Sequence, residues 1–424
     1  MIEEYLKSLR RFPNRPYRFV VVAACIAIAG IIAAACEGAP WKPETSDPMR
    51  IGLLLNFTGF PEASADRKRA FDLAILHINR GGGVLGRPVE SITADATSDP
   101  LVAVEEARRL VEVEGVHAIV GPNTSSAALP VAETVSGPAG IPTISPSATS
   151  PQLTKVADDG YFFRTALSDT AQGPVLARVA RERGFDNVGL IYHDDAYGRG
   201  LAASFEASWD GTLRAVAVVA DQTTYLPELR QSASAGGRAL VLIAFEKQAL
   251  AIIREALDEG IYDQFVFGDA AKRQSLVREI GGARLGGMYG TAGAAAPDND
   301  ATADWDAAFI AEYGELPVLA YVKQTYDATI ALAFAAQAVG SVDGAAIRDH
   351  LRAIGGPPGE VVLGTPAGVA DGLRLLAGGR EIDYEGAANT LDWDDGDLRR
   401  RHIGIWRFTE DGRIEELDAV FVES

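Results

Sequence analysis

The sequence predicts an α/β fold with two doubly wound parallel-sheet lobes. Three observations carry that expectation. Short apolar runs alternate with longer segments of helical period from residue 51 to about residue 163. The same alternation restarts at Asp169 and continues to about residue 291. Such alternation implies parallel sheets with helices on both faces. Two turns that follow successive apolar runs are rich in hydroxyls, Asn123-Thr-Ser-Ser126 and Ser145-Pro-Ser-Ala-Thr149. Ligands of open α/β sheets bind outside the carboxyl ends of the strands, where such turns lie.

The chain opens with Arg10, Arg11, Arg15 and Arg18, then an apolar run over 19–35 and small residues before Cys36. A basic segment, a short apolar core and small residues describe a secretory signal. The small residues directly before Cys36 point to a lipoprotein signal over 1–35, with Cys36 as the acylated first residue. The alternative is an uncleaved anchor helix, because the apolar run sits at the short end of the bilayer-spanning range of about 17–25 residues. Either way the remainder is exported and tethered. Residues 36–49, with Pro40, Pro43 and Pro48, read as that tether.

The first lobe begins with a strand over 51–55 and a turn at Asn56-Phe-Thr-Gly59. Phe71, Ala74, Ile75 and Ile78 give a helix over 64–80 its apolar face, and Gly81-Gly-Gly83 ends it. Gly81-x-Gly83-x-x-Gly86 matches a dinucleotide fingerprint in letters only. It follows a helix and precedes a strand, the reverse of the required order, and reads as a loop. A strand over 89–94 follows, then a helix carrying Leu101, Val104, Ala107 and Val111, stopped by Gly115. The run 116–120 is a strand that breaks at Gly121-Pro122 into a helix start. Pro130 is expected in or just after the first turn, where a missing N–H costs least. Unpaired first-turn amides, the helix dipole and the Ser125 and Ser126 hydroxyls suit an anion such as a ligand carboxylate. The competing reading is that these Ser and Thr residues merely cap helices. A strand over 141–144 leads to the second hydroxyl-rich turn.

In the second lobe, a helix over 170–183 leads to a strand over 188–192 and the turn His193-Asp-Asp-Ala-Tyr-Gly198. A helix over 199–209, a strand over 213–220, a helix near 226–235 and a strand over 239–244 follow. A helix over 247–259 leads to a strand over 265–267, and Asp269 stands at its end. A carboxylate there meets the need of a ligand ammonium; it equally fits an N-cap for the next helix. Residues 286–291 read as a strand. Helices follow over 301–313, 318–339 and 342–354. The Gly-rich segment 355–388 has no clear assignment. Residues 390–393, 403–408 and 414–417 read as terminal strands. Asp392-Trp-Asp-Asp-Gly-Asp397 has its glycine one position early for a calcium loop and lacks the closing glutamate, so it reads as a turn.

Cys25 and Cys36 both lie in the signal region, so the folded part holds no disulfide. The formal charge of −19 opposes binding to nucleic acid or anionic lipid headgroups. No P-loop, HExxH or GxSxG occurs, and His77, His117, His193, His350 and His402 are scattered. The sequence thus predicts no enzyme, no metal and no cofactor.

Several pieces, in order, carry a wider likeness: Arg50-Ile-Gly-Leu-Leu-Leu55 with Thr58-Gly59, Ala74-Ile-Leu-His-Ile-Asn79 with Gly81-Gly82, Gly121-Pro-Asn-Thr-Ser-Ser126, Ser145-Pro-Ser-Ala-Thr149 with Leu153-Thr154, Tyr161-Phe-Phe-Arg-Thr165, Asp195-Ala-Tyr-Gly198, Gly268-Asp269 and Tyr326-Asp-Ala328. Together they resemble the amino-acid-binding, leucine/isoleucine/valine-type family of solute-binding proteins of ABC transporters. The resemblance implies the type I periplasmic-binding-protein fold, two lobes joined by a multi-strand hinge. Lobe I would be 50–166 plus 292–388, and lobe II 167–291 plus 389–424. It also implies a site. Ser125, with Thr124 and Ser126 beside it, would hold a ligand carboxylate; Ser147 would offer a backbone carbonyl to the ammonium; Thr149 would add a hydroxyl and an amide. Tyr197 would supply an aromatic ring, and Asp269 takes the position of the family's usual Glu as the acidic partner of the ammonium. Phe245 replaces a Tyr, and the loop 58–65 is read as a residue short and lacking the family's aromatic. The implied function is an extracytoplasmic receptor feeding an ABC importer, with permease subunits and, through Cys36, the lipid bilayer as partners. A sensory module of the same fold, acting on a separate signalling chain, is the alternative.

Overall fold

The computed structural model describes residues 47–297, 299–317 and 319–423. The expected signal, Cys36 and most of the tether lie outside the described residues.

Strand β1 (Arg50–Leu55) is a run of aliphatic residues buried from Ile51 onward, as a strand covered on both faces requires. It is followed by α1 (Pro61–Arg80), β2 (Glu90–Asp95), α2 (Pro100–Glu112), β3 (Ala118–Val120), α3 (Ser125–Val131), β4 (Thr143–Ser145) and β5 (Phe162–Arg164). The five strands form one sheet in the order β2-β1-β3-β4-β5, with every pair parallel. Pro61 opens α1 at the position where its missing N–H is harmless. Asp99 caps α2 by accepting from the Leu101 amide at 2.9 Å. Pro130 differs from expectation. Because α3 begins at Ser125, Pro130 falls in its second turn, and the helix widens directly after it over Ala132–Ser136, accommodating the absent amide.

The alternation then repeats: α4 (Asp169–Glu182), β6 (Asn187–His193), α5 (Ala196–Ser208), β7 (Thr212–Val218), α6 (Leu226–Ser232), β8 (Ala239–Ile243), α7 (Glu246–Asp258), β9 (Gln264–Phe267), α8 (Gln274–Ile280) and β10 (Tyr289–Gly293). The chain goes on through α9 (Asp300–Tyr313), α10 (Val322–Val339) and α11 (Gly344–Leu351). The segment left unassigned from sequence forms β11 (Glu360–Leu363), α12 (Pro366–Ala377) and β12 (Ile382–Glu385), a small parallel βαβ unit. Its glycines sit in the turns and at close helix contacts, which hid the short strands. Two-residue strands β13 (Trp393–Asp394) and β14 (Asp397–Leu398) make a tight hairpin, and β15 (Arg400–Phe408) and β16 (Ile414–Glu423) a long one.

The second sheet runs β16-β15-β10-β9-β8-β6-β7. Its five parallel strands wind as the first sheet does, the first strand lying between the second and third. The terminal hairpin adds antiparallel to β10. Helices α9, α10 and α12 pack on α1, and α10 also lies against β3 and β4, so the chain returns to the first sheet before ending in the second. Among the described residues no single helix is long and apolar enough to cross a membrane; α10 is apolar because it is buried along most of its length. The sheets are thus joined by three crossings, residues 165–168, 294–297 with 299, and 386–399. Asn389 Nδ2 ties the third to the second by donating to the Ala294 carbonyl at 3.2 Å, and Trp393 Nε1 holds the third against the end of β5 by donating to the Arg164 carbonyl at 2.9 Å.

Candidate functional site

In a sheet wound this way, the turns after the first and third strands part on opposite sides and leave a crevice at the switch point. Here two such crevices meet. The turn after β3 is fixed to the turn after β1 by Asn123 Oδ1, which accepts from the Asn56 amide at 2.8 Å. Gly121 makes that approach possible. Its φ is +122°, and a Cβ there would stand 2.0 Å from the Leu54 carbonyl oxygen. The two hydroxyl-rich turns are braced together. Ser147 Oγ donates to the Asn123 carbonyl at 2.9 Å, and Ser125 Oγ accepts from the Thr149 and Ser150 amides at 3.2 and 3.1 Å. The Ser125 proton is therefore free to point elsewhere.

Across from these turns stands Asp269, directly after β9. Its Oδ1 accepts from Tyr197 Oη at 2.7 Å and Gln172 Nε2 at 3.3 Å, and its Oδ2 from Tyr321 Oη at 2.9 Å. The side chain lines the cavity, and no side-chain bond caps the short turn that Asp269 opens. Burial, then the charge of Asp269, pushes both tyrosine hydroxyls well above their ordinary range, so they remain donors. Tyr321 reaches Asp269 from a left-handed backbone conformation, φ 71°, rare for a bulky residue and a place where strain is stored. That same conformation starts α10 at Val322 rather than at the expected position 318.

The resulting cavity, about 40 Å³, is lined by Ser125, Ser147, Asp269, Arg67 and Arg273 together with aromatic rings; it has room for roughly three waters. It adjoins a wider cleft through Phe60, Thr124 and Phe245. Phe60, from the turn after β1, packs on Phe245, from the turn after β8, with ring centroids 5.0 Å apart. Phe245 also lies 5.5 Å from Tyr197. The loop 58–65 thus supplies an aromatic, Phe60, to the cavity. Of the residues singled out from sequence, Thr124, Ser125, Ser147, Tyr197, Phe245 and Asp269 come together at this cavity. Ser126 lies in the adjoining cleft and donates to Asp195 Oδ2 at 3.0 Å, while Asp195 Oδ1 caps α5 through the Gly198 amide. Thr149 is fully buried outside the lining, where its side-chain hydroxyl faces the Asp169 carboxyl.

The match to known proteins follows from this geometry. A family model described as periplasmic binding protein matches residues 48–371. The chain belongs to the periplasmic binding protein family. A family member from Pseudomonas aeruginosa, the leucine-, isoleucine-, valine-, threonine-, and alanine-binding protein, is 30% identical over 73% of this chain and 83% of its own. A chemotactic signal transduction system substrate-binding protein of Halobacterium salinarum is 28% identical over 81% of this chain and 83% of its own. In fold, the branched-chain amino acid transporter substrate-binding protein of Streptococcus pneumoniae, solved with isoleucine, superposes with a TM-score of 0.73 at 24% identity, covering 89% of this chain and all of that one. Membership makes this a binding protein that works outside the cytoplasm.

Sequence reasoning missed Arg67, Gln172, Arg273 and Tyr321. Two of these left a signal. Arg67 interrupts the apolar face of α1, in line with Ala63, Ala70, Phe71, Ala74 and Ile78. Gln172 similarly shares the buried face of α4 with Val175, Leu176 and Val179. A polar residue on a buried face calls for a polar partner or a site.

Proposed function

We propose that this protein is the substrate-binding component of an ABC importer, capturing an amino acid or a related small molecule between two lobes by hinge closure. The observation that carries this reading is the meeting, in one cavity, of Ser125 and Ser147 from the first sheet with Asp269 from the second. The Ser125 hydroxyl, with Thr124 and Ser126 beside it, takes the ligand carboxylate; no side chain caps α3, so its first amides are available too. Ser147 presents its carbonyl, and Asp269 its carboxylate, to the ammonium. Thr149 supports the first contact through its amide on Ser125. Tyr197 and Phe245 bound the ligand's other end. An amino acid needs more room than the cavity offers, and swinging the lobes apart provides it. Charge-assisted bonds of about 1.5–3 kcal/mol each, with burial of the remainder, suffice for micromolar to nanomolar binding, about −8 to −12 kcal/mol. Lobe I comprises 50–166 and 294–388, lobe II 167–293 and 389–424, the boundary expected at 291/292 moving to the end of β10, whose last two residues pair within the second sheet, and Cys36 carries the lipid that tethers them. No catalytic step is assigned.

The test is calorimetry with amine-bearing ligands found by a thermal-shift screen. Asp269→Asn weakens them more than tenfold; unchanged affinity would sink the reading. The likeness to a chemotactic substrate-binding protein supports a second use, relay of the ligand state to a signalling chain. Loss of ligand uptake on deletion of the gene favours transport, and loss of the behavioural response with uptake intact favours relay.

A further inference from the structure

Two guanidinium groups enter the cavity, one from each half of the molecule. Arg67, on α1, is 5% exposed. Its Nη2 donates to the Ala320 carbonyl at 3.3 Å, its guanidinium lies 5.7 Å from the centre of the Tyr321 ring, and its Nε has no partner among the described residues. Arg273, half-buried just beyond β9, donates Nη1 to the Lys272 carbonyl at 3.1 Å. Burial, then the charge of Arg273, lowers Arg67 to about 10, so it stays cationic at neutral pH.

The charges lining the cavity are these two cations and one anion, Asp269. That anion accepts from Tyr197, Tyr321 and Gln172, and among the described residues neither arginine donates to it. The other buried acid nearby, Asp169, adds no firm counter-charge. Burial and then the charge of Asp269 hold its carboxyl well above the usual range, toward the neutral form. Glu246, in the first turn of α7, faces Arg273 electrostatically, and Asp66, on α1, faces Arg67; both lie outside the lining. The lining itself therefore carries one more cation than anion, and an occupant that excludes water from it is favoured if it brings a negative charge. A neutral zwitterion such as leucine does not correct that surplus, and its apolar side chain would sit against two guanidinium groups. A second carboxylate corrects it, and the planar guanidinium fork matches carboxylate geometry.

We propose that the ligand is an acidic α-amino acid, its side-chain carboxylate held between Arg67 and Arg273 while its headgroup lies on Ser125, Ser147 and Asp269. This rests on the amino-acid reading given above, which the experiment tests separately. Calorimetry on the full chain compares L-aspartate and L-glutamate with L-asparagine, L-glutamine and L-leucine, and with succinate and glutarate. One of the acidic amino acids is expected to bind at least tenfold more tightly than its amide. Arg273→Gln brings that ratio near one. Arg67→Gln does the same if it folds; Arg273, half-buried, keeps the test decisive if it does not. Glutamine or leucine binding as tightly as glutamate, with Asp269→Asn still harmful, overturns the acidic ligand and leaves the amino-acid reading standing. Succinate or glutarate binding as tightly as the amino acids, unaffected by Asp269→Asn, overturns the amino-acid reading. Absence of binding by every compound overturns both.

Discussion

Asp169 and Asp269 sit close enough to feel each other's charge, yet their surroundings set them apart. Asp269 is surrounded by donors, whereas the only side-chain hydroxyl that bears on the Asp169 carboxyl among the described residues is that of Thr149, which offsets part of the upward shift. Burial raises the Asp169 carboxyl above its ordinary 3.8, and the neighbouring aspartate adds to the shift. The folded state then binds the extra proton, so the associated stability is fully present below about pH 4 and falls as the pH rises above it. Asp169→Asn is expected to abolish that fall. Its melting temperature should exceed that of the wild type at pH 8 and approach it at pH 4; a wild type more stable at pH 8 would contradict the assignment. The site is legible in the sequence where one residue follows one strand. Ser125, Ser147 and Asp269 each sit just past an apolar run, and parallel pairing sends all such positions to one edge. Tyr321 is not legible. Its hydroxyl reaches Asp269 only from a left-handed backbone, and no nearby residue type announces that conformation.

At the scale of elements, Arg164 ties β5 to the β13–β14 hairpin. It donates from Nη2 to Asp397 Oδ2 at 2.8 Å and to Thr154 Oγ1 at 2.7 Å, and from Nη1 to the Ser150 carbonyl at 2.9 Å; its Nε also pairs with Asp397. Its side chain is almost wholly inaccessible. Removing one member of a buried pair strands the other, at a cost of about 3–5 kcal/mol. Arg164→Met should therefore lower the urea midpoint steeply, while Arg164→Met with Asp397→Leu should recover part of the loss. Equal midpoints for the single variant and the wild type would contradict this account. Elements with a clear period were legible, since the apolar faces of α1, α2 and α7 follow the helical repeat. The β11–α12–β12 unit was not, because its strands are too short for a period to register and Gly359 and Gly364 abut them. The pairing of β13 with β14 depends on Arg164, more than two hundred residues away, so the acidic run read alone as a turn and nothing more.

At the scale of the whole molecule, side chains meet across the cleft, Tyr321 on Asp269 among them. Ser126 on Asp195 and Phe60 on Phe245 join the two sets of turns. One hydrogen bond to a partly exposed carboxylate is worth about 1 kcal/mol, so Ser126→Ala should weaken the ligand about fivefold. It should also leave the melting temperature of the unliganded protein nearly unchanged. Small-angle scattering should show ligand reducing the radius of gyration of both proteins, with the variant needing more ligand. A radius that stays constant at saturation would remove closure from the mechanism.

The three crossings give that motion its character. A door hung on a single pin can tilt and twist, but one hung on three pins set side by side can only swing. Residues 165–168, the described part of the second crossing (294–297 and 299) and 386–399 would act as such pins, and the bond from Asn389 to Ala294 would keep two of them together. On the proposed closure, the two rims would be confined to one arc, and Asp269 would meet the hydroxyl-rich turns in the same register each time they return.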